Sequence, residues 1–382
     1  MPTIDRVRAA RHRPWSSGRR VAVAGLASLG LLLAGCANKG PQSTFRPEGT
    51  YARKIDNLIR PIFYIALAVL IAVAGAVLIA IIKFRARKGD TRVPRQVHGN
   101  TPLEIMWTIA PALLLAVIAV PTIKTVFDIA RTPHNAMQID VIGQQWWWEY
   151  QYHGDLQGII TANDLVIPAG VNIQLKVTSR DVIHSYWLPR LNGKRDAVPN
   201  RFSFLNVEAD HPGTYMGQCA EFCGLSHANM RDRVVVLSKA DFAVWAANQL
   251  KPAAAPTEAA AIRGAQSFVA RCSSCHQITG EYVDTTGKAV AFAKVDASET
   301  LVSGNAPNLT HLISRGIFAG GTLNLHVDGD PSQPVDTGRL ASWLRDPSRL
   351  VPMAPNERRG MPNLGLTEAQ IFDLVSYLST LK

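Results

Sequence analysis

The chemistry available to this sequence is concentrated in two short groups of cysteine, histidine and methionine residues. The first group runs from Cys219 to Met230 with the spacing C-x3-C-x3-H-x2-M, and His184 lies upstream of it. Two thiolates, two imidazoles and a thioether are soft ligands that favour copper, and a second cysteine allows both thiolates to bridge two copper ions. Two alternatives stay open: a disulfide between Cys219 and Cys223, and a structural zinc site made of two cysteines and two histidines. Zinc would leave Met230 without a role.

The second group is the sequence Cys272-Ser-Ser-Cys275-His276. Two thiols at this spacing can form thioethers with the two vinyl groups of a haem, and the adjacent histidine then reaches the iron. The pattern therefore predicts attachment of a c-type haem. A redox-active dithiol followed by an incidental histidine is the alternative.

The second axial ligand of such a haem has to come from farther along the chain. Met361 is the preferred candidate because it precedes Leu366–Leu378, which has the pattern of an amphipathic helix with Thr367 as its N-cap. A methionine just before the last helix resembles the arrangement in class I cytochromes c, where methionine and histidine together raise the haem potential. The other candidates are Met353, His326 and His311, of which we expect His311 to be a surface or packing histidine.

Short β-rich runs separated by turn residues surround the first group and predict a small all-β sandwich or barrel. The runs are Met137–Ile142, Asp164–Ile167, Ile173–Thr178, Phe202–Val207 and Arg233–Leu237. The stretch Leu250–Ala261 is rich in proline and alanine and indicates a linker. After it, Ile262–Ala270 predicts a short helix that leads into the haem motif. In that region Pro307 resembles the proline that class I cytochromes pack beside the haem-binding histidine.

Hydropathy indicates a membrane anchor in front of these domains. Residues 1–35 combine an arginine-rich start with a short apolar run, which is typical of a secretory signal peptide. The run ends in Leu-Ala-Gly-Cys36, which resembles a bacterial lipobox and predicts lipidation of Cys36. A plain cleaved signal or an uncleaved anchor is the alternative. Pro61–Ile82 and Ile105–Ile123 lack charged residues, and each is long enough to cross a bilayer as a helix.

The formal net charge of +11 comes mostly from residues 1–35 and 83–97, both of which lie beside apolar runs. Because positively charged loops stay in the cytoplasm, residues 83–97 are expected inside and everything after about residue 128 outside. The rest of the chain is nearly neutral, so the basic balance does not indicate a nucleic-acid partner. The expected location is the bacterial inner membrane, with both domains on its extracytoplasmic side.

From residue 50 to about residue 247 the chain resembles cytochrome c oxidase subunit 2, and the first group resembles its dinuclear copper (CuA) loop. The supporting segments are Glu104-Ile-Met-Trp-Thr-Ile-Ala-Pro, Gln145-Trp146-Trp147-Trp148-Glu149-Tyr150 and Lys194-Arg-Asp196-Ala-Val-Pro199. The aromatic run of the family usually reads Trp-Tyr-Trp with a histidine before the glutamine. Gln144 and Trp147 stand at those two positions here.

The resemblance implies a cupredoxin fold with a fixed set of copper ligands. Two cysteines would bridge the ions, two histidines would be terminal ligands, and a methionine and one main-chain carbonyl would bind weakly. In this order the residues are Cys219, Cys223, His184, His227, Met230 and Glu221. The carboxylate of Glu221 would also bind a magnesium ion shared with the catalytic subunit.

The resemblance also assigns roles to two residues outside the loop. Trp146 corresponds to the tryptophan at which electrons enter, and Glu104 to the carboxylate at the mouth of a proton path into the catalytic subunit. On composition alone, the three tryptophans could instead be hydrophobic packing or an interfacial aromatic belt. Glu104 could be a solvated carboxylate at a helix start.

The combination of such a subunit with a C-terminal cytochrome c resembles the caa-type bacterial oxidases. It implies that a quinol–cytochrome c reductase or a soluble cytochrome c reduces the haem c, and that electrons then pass through CuA to haem a of subunit 1. Oxygen would be reduced there and protons pumped. The implied partners are subunits 1 and 3 and membrane lipid.

An electron-transfer module for another terminal reductase, such as nitrous oxide reductase, is the alternative, and the two spans argue against it. The complete ligand sets argue against a non-redox assembly lipoprotein, and a quinol oxidase homologue would lack Cys219 and Cys223.

The sequence thus predicts a multidomain membrane protein with a two-helix transmembrane hairpin, an all-β cupredoxin domain and an all-α class I cytochrome c domain. The expected segments are a signal peptide (1–35), an exported segment (36–59), a first span (60–82), a cytoplasmic loop (83–102), a second span (103–127), the copper domain (128–247), a linker (248–261) and the cytochrome c domain (262–382).

Overall fold

The computed structural model describes residues 25, 40–85, 89, 91, 93, 96, 98–292, 305–353 and 359–382 of the 382-residue chain. Apart from residue 25, the predicted signal peptide lies outside the described residues, and so does Cys36. The first two elements are the long helices α1 (Thr50–Lys83) and α2 (Thr101–Ala130). They contact each other, and both expose apolar side chains along most of their length. Both are long and apolar enough to cross a bilayer.

Each long helix extends beyond the predicted span for a local reason. Asn100 caps the start of α2, where its side chain accepts a hydrogen bond from the amide of Leu103 at 3.2 Å. The first turns of α1 pack beneath the β domain, where Tyr51 is buried and donates a hydrogen bond to Asn172 Oδ1 at 3.0 Å. The anchor is therefore joined to the β domain by side-chain contacts as well as by the chain.

Ten strands follow and form two five-stranded sheets packed face to face. The strands are β1 (Met137–Gln144), β2 (Trp147–Tyr152), β3 (Ile160–Ala162), β4 (Asp164–Pro168), β5 (Ile173–Ser179), β6 (His184–Trp187), β7 (Lys194–Ala197), β8 (Ser203–Val207), β9 (Gly213–Cys219) and β10 (Arg231–Leu237). One sheet has the order β3-β2-β1-β5-β8 and the other β4-β10-β9-β6-β7. The predicted all-β sandwich is thus confirmed, and each of the five predicted runs overlaps a strand.

The aromatic run forms strand β2 and much of the sandwich core. Trp148, Tyr150 and Tyr152 are fully buried, and the hydroxyl groups of Tyr150 and Tyr186 lie 3.2 Å apart across the sheets. In β5, buried residues alternate with partly exposed ones, as expected for a strand with one face in a core. The packing role that composition allowed for the tryptophans therefore applies to Trp148.

The C-terminal domain surrounds a second hydrophobic core. Helix α3 (Lys239–Gln249) closes the sandwich, and the C-terminal domain contains α4 (Ala259–Arg271), α5 (Thr337–Arg345), α6 (Pro347–Leu350) and α7 (Glu368–Leu378). Two short hairpins, β11 (Glu281–Val283) with β12 (Ala289–Ala291) and β13 (Ile317–Phe318) with β14 (Leu323–Asn324), complete it. Thr367 caps α7 in a capping box with Gln370, as the sequence predicts.

The proline- and alanine-rich linker is short and packed. Only residues 250–258 lie between α3 and α4, and Ala253 is buried against Gly280 of the C-terminal domain. The carbonyl of Lys251 accepts a hydrogen bond from His311 Nε2 at 2.9 Å. The linker therefore belongs to the surface of the C-terminal domain and is not a free tether.

Candidate metal and haem centres

The loop between β9 and β10 brings the first group of ligands together. The Sγ atoms of Cys219 and Cys223 lie 3.8 Å apart, which is too far for a disulfide, and both thiols are free. Cys223 Sγ lies 3.5 Å from His227 Nδ1 and 3.7 Å from Met230 Sδ. Cys219 Sγ lies 3.9 Å from His184 Nδ1. All five side chains converge on one small volume, in which Cys219, Cys223 and Met230 are buried.

The main chain of Glu221 and the side chain of Asp181 complete this centre. The carbonyl oxygen of Glu221 lies 3.2 Å from Cys219 Sγ, so it is available as a further donor. His184 Nε2 lies 2.8 Å from Asp181 Oδ1. This contact holds the ring so that Nδ1 faces the cysteines, as the outer carboxylate partner of a metal-binding histidine does.

The charges of the centre favour a bound cation. Hydrogen bonding from the Cys223 thiol lowers the pKa of Cys219 well below its ordinary value; burial opposes this shift, and His184 reinforces it. The same hydrogen bond with Cys219 raises the pKa of Cys223, and burial raises it further. For His184, burial acts to lower the pKa, but the hydrogen bonds with Asp181 and Cys219 outweigh it and raise the pKa. One thiolate therefore forms readily, and a cation would stabilise the second.

Asp181 allows a first test of this geometry. In an Asp181→Asn variant we expect copper binding to weaken by about 10–100-fold, because the outer partner of His184 loses its charge. Asp155→Asn, at an exposed turn of the same domain, serves as the control and should bind copper like the unaltered chain. Competition against a chelator of known copper affinity measures both. Equal copper affinities of the two variants would show that Asp181 does not contribute to copper binding.

A cavity of about 400 Å³ lies between the C-terminal domain and the sandwich. This volume lies within the range of ligand and cofactor pockets, and most of its lining is apolar. From the C-terminal domain it is lined by Cys272, Cys275, His276 and Met361, among others. From the sandwich it is lined by Gln144, Gln145, Trp146 and Trp147. The second group of predicted ligands therefore shares one cavity with the aromatic run.

The geometry of His276 suits an iron ligand. Its Nδ1 lies 2.8 Å from the carbonyl oxygen of Pro307, so a neutral ring would donate there and leave Nε2 free. Burial lowers the pKa of His276, which favours the neutral form that binds metals. Burial also raises the pKa of the Cys272 thiol to about 11. The contact with Pro307 agrees with the position that the sequence predicts for this proline.

The structure separates the candidates for the second axial ligand. His311 and His326 each place both ring nitrogens against main-chain carbonyl oxygens, so neither has a free nitrogen. Met353 packs against the core of the sandwich, whereas Met361 lines the cavity. Of the two methionines, Met361 therefore lines the same cavity as His276.

A buried cation also lines the cavity. Arg315 is 4% exposed; its Nη2 donates to the carbonyl of Asn308, and its Nε has no partner among the described residues. Burial lowers the pKa of the Arg315 guanidinium to about 10, so the group stays charged at neutral pH. An unpaired buried donor is costly unless a ligand binds it. A ligand with carboxylates and a large apolar ring therefore fits the cavity, and haem has both features.

Trp146 connects the cavity to the copper loop. Its indole Nε1 donates a hydrogen bond to the main-chain oxygen of Cys223 at 3.2 Å, and Gln145 Nε2 donates to the same oxygen at 2.6 Å. Trp146 is only 3% exposed because the C-terminal domain covers it. One side chain thus lines the cavity of the second group and is hydrogen-bonded to the loop of the first group.

Two predicted residues lie away from this assembly. Glu104 is in the first turn of α2, exposed, and its Oε1 accepts a hydrogen bond from the amide of Asn100 at 3.2 Å. That contact is the ordinary one for a carboxylate at a helix start. The side chain of Glu221 is exposed on the copper loop.

Sequence reasoning missed Asp181, Gln145 and Arg315. Asp181 lies three residues before His184, so the pattern Asp-x-x-His could have indicated it as a partner of the histidine. Arg315 and Gln145 carry no such pattern, since their partners lie far away in the sequence.

Three family models together match most of the chain. Residues 47–125 match the family "Cytochrome C oxidase subunit II, transmembrane domain", residues 153–238 match "Cytochrome C oxidase subunit II, periplasmic domain", and residues 261–382 match "Cytochrome c". Two curated relatives are named "Cytochrome c oxidase subunit 2". That of Alkalihalophilus pseudofirmus is 33% identical over 365 residues, covering 94% of this chain and 96% of the relative. That of Bacillus subtilis is 30% identical over 381 residues, with the same coverages.

Among solved structures, the periplasmic domain of subunit II of cytochrome oxidase (CoxB) of Bradyrhizobium japonicum is 30% identical. The alignment covers 31% of this chain and 96% of that one, with a TM-score of 0.30, and at that score the likeness carries no argument.

The fold and the matched families define a membrane protein in which two apolar helices, a copper-type β-sandwich outside the cytoplasm and a cytochrome c domain follow one another. The chain belongs to the cytochrome c oxidase subunit 2 family, in the form that carries a fused cytochrome c domain. This family implies a CuA centre and the cytochrome domain implies haem c.

Proposed function

We propose that this chain is the electron-accepting subunit 2 of a proton-pumping haem–copper oxidase. Its own haem c would receive electrons, and its CuA centre would deliver them to haem a of subunit 1, where oxygen is reduced to water. One observation carries the proposal. The cavity that contains Cys272, Cys275, His276 and Met361 is also lined by Trp146, which is hydrogen-bonded to Cys223 of the copper loop.

When bound, haem c and the copper pair supply the one-electron redox chemistry of the subunit. Cys272 and Cys275 would hold the haem through thioethers, and His276 and Met361 would bind its iron. The sulfur, nitrogen and carbonyl donors of the copper loop would hold the two copper ions. These donors are His184, Cys219, the carbonyl of Glu221, Cys223, His227 and Met230. The convergence of these groups within the distances given above supports the assignment.

The protein residues position and shield these groups. Asp181 and the carbonyl of Pro307 fix the rings of His184 and His276, respectively. Trp146 lines the cavity, donates a hydrogen bond to the Cys223 carbonyl and is almost completely buried, so little water can reach its ring. A fixed donor held beside its acceptor removes the diffusional encounter that a soluble cytochrome would need. This arrangement supports Trp146 as the residue through which electrons reach the copper loop.

The outer surface of the copper loop supports a contact with subunit 1. Phe222 and Leu225 lie between the copper ligands and are 77% and 60% exposed. Large apolar side chains exposed beside a functional centre commonly mark a protein contact. The exposed carboxylate of Glu221 is adjacent to Phe222 and is available for the magnesium ion that the family shares with its catalytic subunit. Subunit 3 and membrane lipid would complete the surroundings.

The two long helices would anchor the chain in the bacterial inner membrane, with both domains on the extracytoplasmic side. Cys36 would add a lipid anchor at the mature N-terminus. Glu104 lies in the first turn of α2. In the proposed topology this end of the helix would face the cytoplasm, the side from which pumped protons are taken. Its position therefore supports a place at the mouth of a proton path.

The assignment of Met361 predicts a specific change in the haem. A Met361→Leu variant should keep its haem, because the thioethers to Cys272 and Cys275 do not involve the methionine. The midpoint potential should fall, since methionine ligation raises it. A redox titration followed by haem absorbance measures this. Met353→Leu is the matched control, and a fall in potential in that variant instead would identify Met353 as the ligand.

Purification of the chain from its native membrane tests the proposed function as a whole. A tag on this chain should recover a complex that contains haem a as well as haem c and copper. The complex should consume oxygen when its haem c is reduced. Recovery of a copper- and haem-c-containing chain without haem a would contradict the proposal and favour another terminal reductase.

A further inference from the structure

A short hairpin of the C-terminal domain, formed by residues 316–324 and here called the docking hairpin, contacts the copper loop. It consists of β13, a four-residue turn and β14. We propose that the turn of the docking hairpin is a positioning clamp, which holds the main chain on both sides of Met230 and so sets the contact of its thioether with copper. The inference rests on the proposed function, because it presumes that copper binds at this loop.

Hydrogen bonds from the turn flank Met230 on each side. The amide of Arg231 donates to the carbonyl of Gly320 at 2.8 Å. The hydroxyl of Thr322 donates to the carbonyl of Asn229 at 3.2 Å. The residues before and after Met230 are thus both bound to the other domain, so Met230 cannot shift along the loop without breaking one of these bonds.

At Gly320 and Gly321 the turn approaches the sandwich too closely for a side chain. A Cβ atom on Gly320 would lie 2.5 Å from the carbonyl oxygen of Trp146 and 2.8 Å from that of Asn229. A Cβ atom on Gly321 would lie 2.6 Å from the carbonyl oxygen of Arg231. Both glycines also have positive φ values, of 66° and 77°. Glycine is therefore needed here for its lack of a side chain as well as for its backbone freedom.

The base of the docking hairpin is fixed to the sandwich as well. The amide of Gly316 donates to Asp164 Oδ2 at 2.7 Å, and Arg233 holds the same carboxylate with two hydrogen bonds. Asp164 and Arg233 are both buried, so this ion pair is protected from solvent. Outside the docking hairpin, the hydroxyl of Ser226, in the middle of the copper loop, donates a hydrogen bond to the carbonyl of Pro352. The docking hairpin is thus bound to the sandwich at its base as well as at its turn.

Movement of this segment would reach the copper ligands directly. The carbonyl of Met230 accepts the amide of Cys219 at 3.0 Å, and the amide of Met230 donates to the carbonyl of His227. A weak thioether ligand responds strongly to small displacements and tunes the potential of a copper–thiolate centre. Docking of the cytochrome domain therefore adjusts the electron acceptor as well as positioning the donor.

Gly321→Ala in the assembled oxidase tests the clamp. The added methyl group pushes Arg231 away, so we expect a shift of the near-infrared CuA band and of the copper hyperfine splitting in the electron paramagnetic resonance spectrum. The absorbance of haem c should not change. Gly365→Ala is the matched control, since Gly365 is in the same domain with φ of 60° and open space around its Cβ position. The control should leave both copper signals unchanged.

If the Gly321→Ala protein does not accumulate, two smaller changes at Thr322 test the same clamp. Thr322→Val removes the hydrogen bond to Asn229 and should shift the same copper signals, whereas Thr322→Ser keeps the hydroxyl and should restore them. Unchanged copper signals in Thr322→Val would overturn the clamp. The unaltered chain separates this outcome from failure of the proposed function, because absence of a CuA band there would overturn both.

Discussion

Replacing Cys223 by serine is expected to remove the dinuclear copper centre. Cys223 Sγ is the sulfur that lies near Cys219, His227 and Met230 alike, so its loss leaves no second bridge. Serine is a hard oxygen donor and does not replace a thiolate bridge between copper ions. We expect at most one copper ion per chain, loss of the near-infrared band, and loss of electron delivery to haem a.

The haem provides an internal control for this experiment. The Cys223→Ser chain should retain one haem c, because Cys272, Cys275 and His276 lie in another domain with its own core. The reciprocal variant Cys275→Ser should weaken haem attachment and leave both copper ions in place. Two coppers and an intact near-infrared band in Cys223→Ser would contradict the bridging role, and zinc in the unaltered chain would support the structural alternative.

Replacing Trp146 by leucine is expected to slow electron transfer from haem c to copper more than any other single change outside the ligands. Trp146 occupies the space between the cavity and Cys223, and leucine removes both the ring and the hydrogen bond to the Cys223 carbonyl. Trp146→Phe keeps a ring but loses the N–H group, so its effect should be intermediate. Flash reduction of haem c followed by copper absorbance gives the rate.

Copper and haem contents show whether a slower rate comes from loss of a cofactor or from loss of the electron-transfer path through Trp146. They should stay at the level of the unaltered chain in both Trp146 variants. Trp245→Phe is the control, since Trp245 packs against Tyr152 in the sandwich and does not line the cavity. A rate in Trp146→Leu equal to that in the control would show that electrons take another route.

Local chemistry made the ligands and most of the elements predictable. Within one loop lie Cys219, Cys223, His227 and Met230. Because they are so close in sequence, their side chains stay near one another in the folded chain. Likewise, the start of α7 at Thr367 depends on a capping box of neighbouring residues. The predicted strands follow from alternation of apolar residues, which is also a local property.

The relation between the two domains was not predictable, because it depends on contacts between residues far apart in the chain. Nothing near Trp146 in the sequence indicates that it is buried beneath the cytochrome domain. The glycines at 320 and 321 indicate a turn, but their close approach to Asn229 and Arg231 appears only in the folded chain. The composition of residues 250–261 indicated a linker, and its packing was not predictable, because Ala253 and the carbonyl of Lys251 find their partners in the C-terminal domain.

Metal and optical analysis of the purified chain tests the central claim most directly. We expect two copper ions and one covalently bound haem c per chain, together with a near-infrared CuA band. A single copper ion, or zinc in its place, would contradict the assignment of a dinuclear centre to the loop from Cys219 to Met230.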